Sequence, residues 1–213
     1  MKGQTIAIMA IFVIMIFAAG CSIINYVTYP DIVSKCRSSS DVQVCYSDEG
    51  IARQDTAVCD RLIDNPKSAG YCYYSIAEDK NDSSYCPKIK DEYWADVCYK
   101  HFADINADVN QCKGIKNDDY RQECIYNIAI KTNDYAACDD LGQIKMFECL
   151  TNIAKELGNV SICKGVASSS YKPQCVFQIA YKLKDTSICS EMQSNFYKER
   201  CINQLKEALN LTQ

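Results

Sequence analysis

The spacing of cysteine limits this chain more than any other feature. After Cys21 the cysteines stand at 36, 45, 59, 72, 86, 98, 112, 124, 138, 149, 163, 175, 189 and 201. Every second interval is 14 residues, six times out of six, and the intervals between them run from 9 to 13. Cys45 to Cys201 spans 156 residues in six periods, a repeat of 26. A fixed period of this length marks an array of small units, none of which buries its apolar face alone.

Each unit reads as two helices. We label the first cysteine of a unit A and the second B. Four residues before A stands Asp55, Asp82, Asp108, Asp134, Asn159 or Asp185. Asp and Asn are preferred helix N-caps, because the side-chain oxygen accepts from an unpaired backbone N–H of the first turn. Three residues after A comes Leu62, Ile89, Ile115, Leu141, Val166 or Met192. Helix A is therefore expected to be short, two turns, with a narrow apolar stripe.

Helix B is longer. Position +4 from its cysteine holds Ile76, Phe102, Ile128, Ile153, Ile179 or Leu205, and +5 holds Ala77, Ala103, Ala129, Ala154 or Ala180. Positions 0, +1, +4, +5 and +8 cover roughly 140° of arc, enough to touch both the partner helix and a neighbouring unit. In the first unit Ile51-Ala52 stands two residues late, and the last unit has Lys206 in place of alanine. Atypical terminal units are what capping of an array requires.

The expected fold is all-α: an α-solenoid of about seven disulfide-stapled hairpins preceded by an N-terminal hydrophobic helix. In architecture it resembles the broad class of α/α repeats. Its domains are 1–25, a signal or anchor segment; 26–35, a spacer; and 36–213, the repeat array.

Fifteen cysteines in 213 residues are either disulfides in an oxidising compartment or soft-metal ligands. An antiparallel hairpin brings A and B together across its turn. That predicts Cys36–Cys45, Cys59–Cys72, Cys86–Cys98, Cys112–Cys124, Cys138–Cys149, Cys163–Cys175 and Cys189–Cys201, with Cys21 left over. Bridging B to the next A instead would orphan Cys36 and Cys201. Zinc and iron–sulfur sites favour close pairs such as C-x-x-C, and the nearest pair here is nine residues apart. No metal ligand set, cofactor site or catalytic residue is read from the sequence. The single histidine, His101, lies at the margin of the helix B stripe and reads as structural.

Ile6–Ala19 carries no polar side chain and follows Lys2. Ala18-Ala19-Gly20-Cys21 resembles the lipobox of prokaryotic lipoproteins, which makes Cys21 a lipidation candidate. Alternatively, Ile6–Ile24, about 28 Å as a helix, just spans a bilayer core uncleaved. Either way the body is expected on the extracytoplasmic side of a membrane. Net charge is −4 with scattered Lys and Arg, which argues against a nucleic-acid partner.

Sequons at Asn81, Asn159 and Asn210 are candidate glycosylation sites. The first two overlap the helix A capping motif. Trp94, Tyr120, Tyr171 and Tyr197, four before B, read as core. Column +2 of helix B lies outside the stripe and carries Tyr74, Tyr126 and Phe177, which are candidate partner contacts. The expected function is a surface interaction scaffold for an extracytoplasmic protein or other ligand, not an enzyme. The alternatives are a structural envelope component and a soft-metal store.

Overall fold

The computed structural model describes residues 29–62 and 64–209. Among the described residues 78% are helical and none is in a strand. Its α-helices are α1 (Pro30–Arg37), α2 (Val42–Arg53), α3 (Thr56–Cys59), α4 (Pro66–Lys80), α5 (Glu92–Asn106), α6 (Val109–Cys112), α7 (Asp118–Thr132), α8 (Gln143–Leu157), α9 (Lys172–Leu183) and α10 (Asn195–Ala208). Two compact units are present, one ending at Trp94 and the other beginning at Ala95. The hydrophobic segment Ile6–Ile24, Cys21 and the Asn210 sequon lie outside the described residues. No helix among the described residues is long and apolar enough to cross a membrane.

The capping residues act as their chemistry dictates. Asp55, Asp82, Asp108, Asp134, Asn159 and Asp185 each accept from the backbone N–H two residues on, at 2.8–3.1 Å. What they cap is tighter than a two-turn α-helix. Ser83–Lys88, Tyr135–Asp140, Val160–Gly165 and Thr186–Glu191 are 3₁₀ helices, while α3 and α6 are single α-turns. The cause is length: short runs favour i→i+3 bonding. The apolar +3 residue joins in, as the N–H of Ile89, Ile115, Leu141, Val166 and Met192 donates to the cysteine A carbonyl at 3.1–3.2 Å.

The first six B helices end the same way, whereas the last ends at Leu209 with φ −100°. Gln54, Asn81, Ala107, Asn133, Gly158 and Lys184 sit nine residues after B with φ between 50° and 63°. The next residue, the helix A cap, donates its backbone N–H to the +5 carbonyl at 2.9–3.1 Å. This is a Schellman closure, a left-handed residue followed by a 6→1 bond. Closure and cap together fix the path from B to the next A, which accounts for the constant 14.

Sulfur closes the other connection. Cys36–Cys45, Cys59–Cys72, Cys112–Cys124, Cys138–Cys149, Cys163–Cys175 and Cys189–Cys201 are bonded, with Cα–Cα distances of 5.4–5.8 Å. Cys86 and Cys98 are disulfide-bonded as well. Each bridge closes a short loop and is worth about 2–4 kcal/mol, mainly by restricting the unfolded chain. Seven such bridges point to an oxidising environment outside the cytosol.

The predicted apolar columns form the core. The +3 residues after A, the +4 residues of helix B and the +5 alanines are all buried. In the first hairpin the small column is held by Gly50, not by a displaced Ile51-Ala52; Ala52 is exposed. A Cβ on Gly50 would stand 2.7 Å from Cys72 Sγ and 3.2 Å from Cys59 Sγ, so the small residue of one hairpin makes room for the disulfide of the next. Lys206, at +5 in the last hairpin, is exposed. Residues 30–35, placed in a spacer on sequence, form most of α1. Pro30 suits a first helical turn, and Ile32 and Cys36, one turn apart, are buried with Val58.

A column outside the repeat pattern ties successive hairpins. It stands two residues before B and meets the N-cap region of the next helix B. Gln43 Oε1 accepts from Asn65 Nδ2. Gly70 lies so close that a Cβ would be 2.9 Å from Trp94 Cβ and 3.0 Å from Asp91 Cβ. The Asp96 carboxylate, 5% exposed, accepts from the N–H of Lys116 at 2.7 Å and of Asn117 at 3.0 Å. Gln122 Oε1 accepts from Gly142 N–H at 3.3 Å. Phe147 stacks on Tyr171 with centroids 4.8 Å apart.

Candidate ligand surfaces

Tyr74, the first of the +2 aromatics, belongs to a cluster built around Trp94. Asp91 Oδ1 accepts from Trp94 N–H at 3.0 Å and starts α5, while Gly70 lets α4 approach the indole. Tyr71 lies 5.0 Å from the Trp94 ring, tilted by 56°, and Tyr74 stacks on it at 5.5 Å. Tyr93 meets it edge-on at 5.2 Å. Such tilted, offset and edge-on geometries suit the negative faces and positive edges of aromatic rings. Burial, reinforced by the charge of nearby Glu78, pushes the Tyr74 phenol up to about 12. Tyr71 and Tyr93 remain 43% and 56% exposed, so the cluster has a buried side and an open one. Beside it lies a shallow cavity of about 260 Å³ lined by Val44, Ser47, Asp48, Lys67, Ser68, Tyr71 and Trp94.

Tyr126 and Phe177 are half-buried members of the second unit's core margin. The Tyr126 hydroxyl accepts from Asn152 Nδ2 at 2.8 Å, a tie between neighbouring hairpins. Phe177 leans on Tyr181 at 6.2 Å and lines a cavity of about 530 Å³. A second cavity of about 510 Å³ shares Pro173, Met192 and Tyr197 with it. Thr151, in the same column, is buried. Column +2 therefore serves packing at some hairpins and surface at others.

The tyrosines four before B divide in a way the sequence does not anticipate. Trp94 and Tyr171 are half-buried, but Tyr120 is 51% exposed and Tyr197 37%. The difference lies in the preceding hairpin. Gly70 makes room for Trp94 and Phe147 offers Tyr171 a ring, whereas Asp96 and Pro173 offer Tyr120 and Tyr197 neither.

His101 is half-buried and edge-on to Phe102 at 5.1 Å. Asn81 is exposed at its left-handed helix end. Asn159 uses its Oδ1 to accept from Ser161 N–H at 3.0 Å and Ser161 Oγ–H at 2.6 Å, so the cap occupies that sequon. Among the described residues no group of three or more His, Cys, Asp or Glu is arranged to hold a metal ion. Tyr71, Tyr93 and the column two before B escape sequence reasoning because neither set repeats a residue type. No family model matches the chain, and neither a curated protein nor a solved structure matches it.

Proposed function

We propose that the protein is an α-solenoid of seven stapled hairpins, held at an extracytoplasmic membrane face by Ile6–Ile24 or by acylated Cys21, and that it serves as an interaction scaffold. The observation that carries this reading is a set of polar ties separated by one period. Lys80 Nζ donates to the Gln54 carbonyl at 2.9 Å, 26 residues back, and Asn152 to Tyr126 at 2.8 Å, also 26. Lys182 pairs with Glu156 at 2.9 Å across 26 residues, and Lys131 reaches the Asp104 carbonyl at 2.9 Å across 27. Separations of 26 or 27 residues, one period, support neighbouring hairpins meeting in a repeating arrangement, which is how a solenoid grows.

Stacking consumes the periodic columns and leaves other side chains for partners. Tyr71, Tyr93, Ile144 and Phe196 are all exposed and stand outside the core columns. The chain binds rather than catalyses in this reading, since bonded sulfurs supply neither nucleophile nor thiolate ligand. Disulfide bonding of all fourteen cysteines from Cys36 to Cys201 also removes the donors a soft-metal store needs.

The test is site-specific photo-crosslinking on intact cells, with the probe at Tyr93 or Phe196 and a control probe at Lys206. A discrete adduct from the aromatic positions supports the scaffold; a purely structural envelope component gives none. Replacement Cys21→Ser, with membrane partition as readout, separates acylation from a spanning anchor.

A further inference from the structure

Three buried side-chain polar atoms of the first unit have no hydrogen-bond partner, Ser47 Oγ, Gln54 Oε1 and Trp94 Nε1, and two of them belong to residues of one cavity. Ser47 is 4% exposed and its Oγ has no hydrogen-bond partner. Trp94 Nε1 is equally sealed and equally unpartnered. Both residues line the 260 Å³ cavity completed by Asp48, Lys67, Ser68 and Tyr71. Buried polar atoms are paired as a rule, and leaving one unpaired costs free energy comparable to a lost hydrogen bond. Two residues of one small cavity, beside an open tyrosine ring, thus carry sealed polar atoms without a partner.

We propose that this cavity binds a neutral pyranose ring; the proposal rests on the scaffold reading and names one ligand class for it. Three features of the cavity select that chemistry. Exposed Tyr71 brings an aromatic ring to the cavity, and the negative face of such a ring attracts the weakly positive C–H face of a sugar. The indole N–H only donates and the seryl hydroxyl does both, so each finds a partner in a sugar hydroxyl, itself both donor and acceptor. Asp48 accepts and Lys67 donates, so neighbouring hydroxyls of one ring meet opposite charges.

Competing occupants fit less well. An acyl chain or an apolar peptide side chain would fill the volume and leave both sealed polar atoms unpaired. The volume lies below the ~300–1,000 Å³ of drug-sized sites, which limits the ligand to one ring. Lys67 is exposed at the cavity and rotamers of exposed side chains exchange rapidly, so in this proposal the ligand reaches the sealed atoms by displacing it.

Trp94 is the only tryptophan in the chain, so its fluorescence reports on the site directly. The disulfide-bonded protein is titrated with methyl β-D-glucopyranoside and with N-acetylglucosamine, and the same rings are offered as terminal residues on beads. The expected result is a saturable change in emission. Its midpoint should weaken by roughly tenfold in Tyr71→Ala and in Asp48→Asn, with unchanged far-UV circular dichroism. Capture on beads assigns the ring to a surface glycan, and a response to free glycoside alone assigns it to a soluble sugar. No saturable response in either presentation, or equal affinity in both variants, overturns the proposal. That failure is separable from failure of the scaffold, because the crosslinks at Tyr93 and Phe196 are scored independently of sugar.

Discussion

The joint leading into α9 and the joint leading into α10 use the same sequence positions and come out differently. In the first, Phe147 stacks on Tyr171, the N-cap residue of α9, at 4.8 Å. In the second, Pro173 occupies the equivalent place, two before cysteine B. It has no aromatic ring to stack on Tyr197, which stands four before its cysteine as Tyr171 does and is 37% exposed. Cavities of about 530 and 510 Å³, both lined by Pro173, Met192 and Tyr197, open at this joint. Backbone closure is the same on both sides, since Asn159 N–H reaches the Ala154 carbonyl at 2.9 Å and Asp185 N–H the Ala180 carbonyl at 3.0 Å. The backbone thus sets where the next hairpin begins, and one side chain outside the repeat pattern sets how firmly it is held.

The largest effect should come from turning a tied joint into a loose one. Asp96→Ala strips the Lys116 and Asn117 N–H groups of a buried side-chain acceptor and should cost about 3 kcal/mol. A lowered urea midpoint at unchanged slope would show it. An unchanged midpoint would mean that the column two before B merely accompanies the stacking. Next comes Gly50→Ala, which forces a methyl to 2.7 Å from Cys72 Sγ and should destabilise by about 1–3 kcal/mol through overpacking.

The third change probes the backbone half of the contrast and has the opposite sign. Gly158 and Ala107 both close a helix B in the left-handed region, at φ 63° and 51°. Alanine is strained there and glycine is not, so Ala107→Gly should stabilise by about 1 kcal/mol in thermal unfolding. Destabilisation would show that this closure is not what fixes the interval. The smallest effect is expected from Pro173→Gln, which restores an arm to the last joint. Slower amide exchange in α10, with a gain under about 1 kcal/mol, is the outcome that supports the comparison; unaltered exchange would break it.

Much of the fold is legible in the chain because backbone chemistry demands particular residues. An N–H two residues beyond a helix start needs a short side-chain oxygen, hence Asp55, Asp82 and their counterparts. The helix B face that packs on a neighbour needs a small residue, hence buried Ala77 and Ala129, and Gly50 fills the same place in the first hairpin without the alanine that marks the column. The joints were not legible. Gln43, Gly70, Asp96, Gln122 and Phe147 perform one geometric task by amide, close approach, carboxylate, amide and ring. No residue type recurs to reveal the column. For the same reason the repeat columns mark only Tyr74 among the tyrosines around Trp94. Tyr71 and Tyr93 stand in columns without a repeat signature, and exposure decides their role.

The central claim is that sulfur bridges within successive hairpins hold up a chain whose apolar core is thin. The most direct measurement is far-UV circular dichroism of the protein in strong reductant with the freed thiols blocked. The account predicts loss of most helical signal at a temperature where the bridged protein is fully folded. A spectrum unchanged by complete reduction would contradict it.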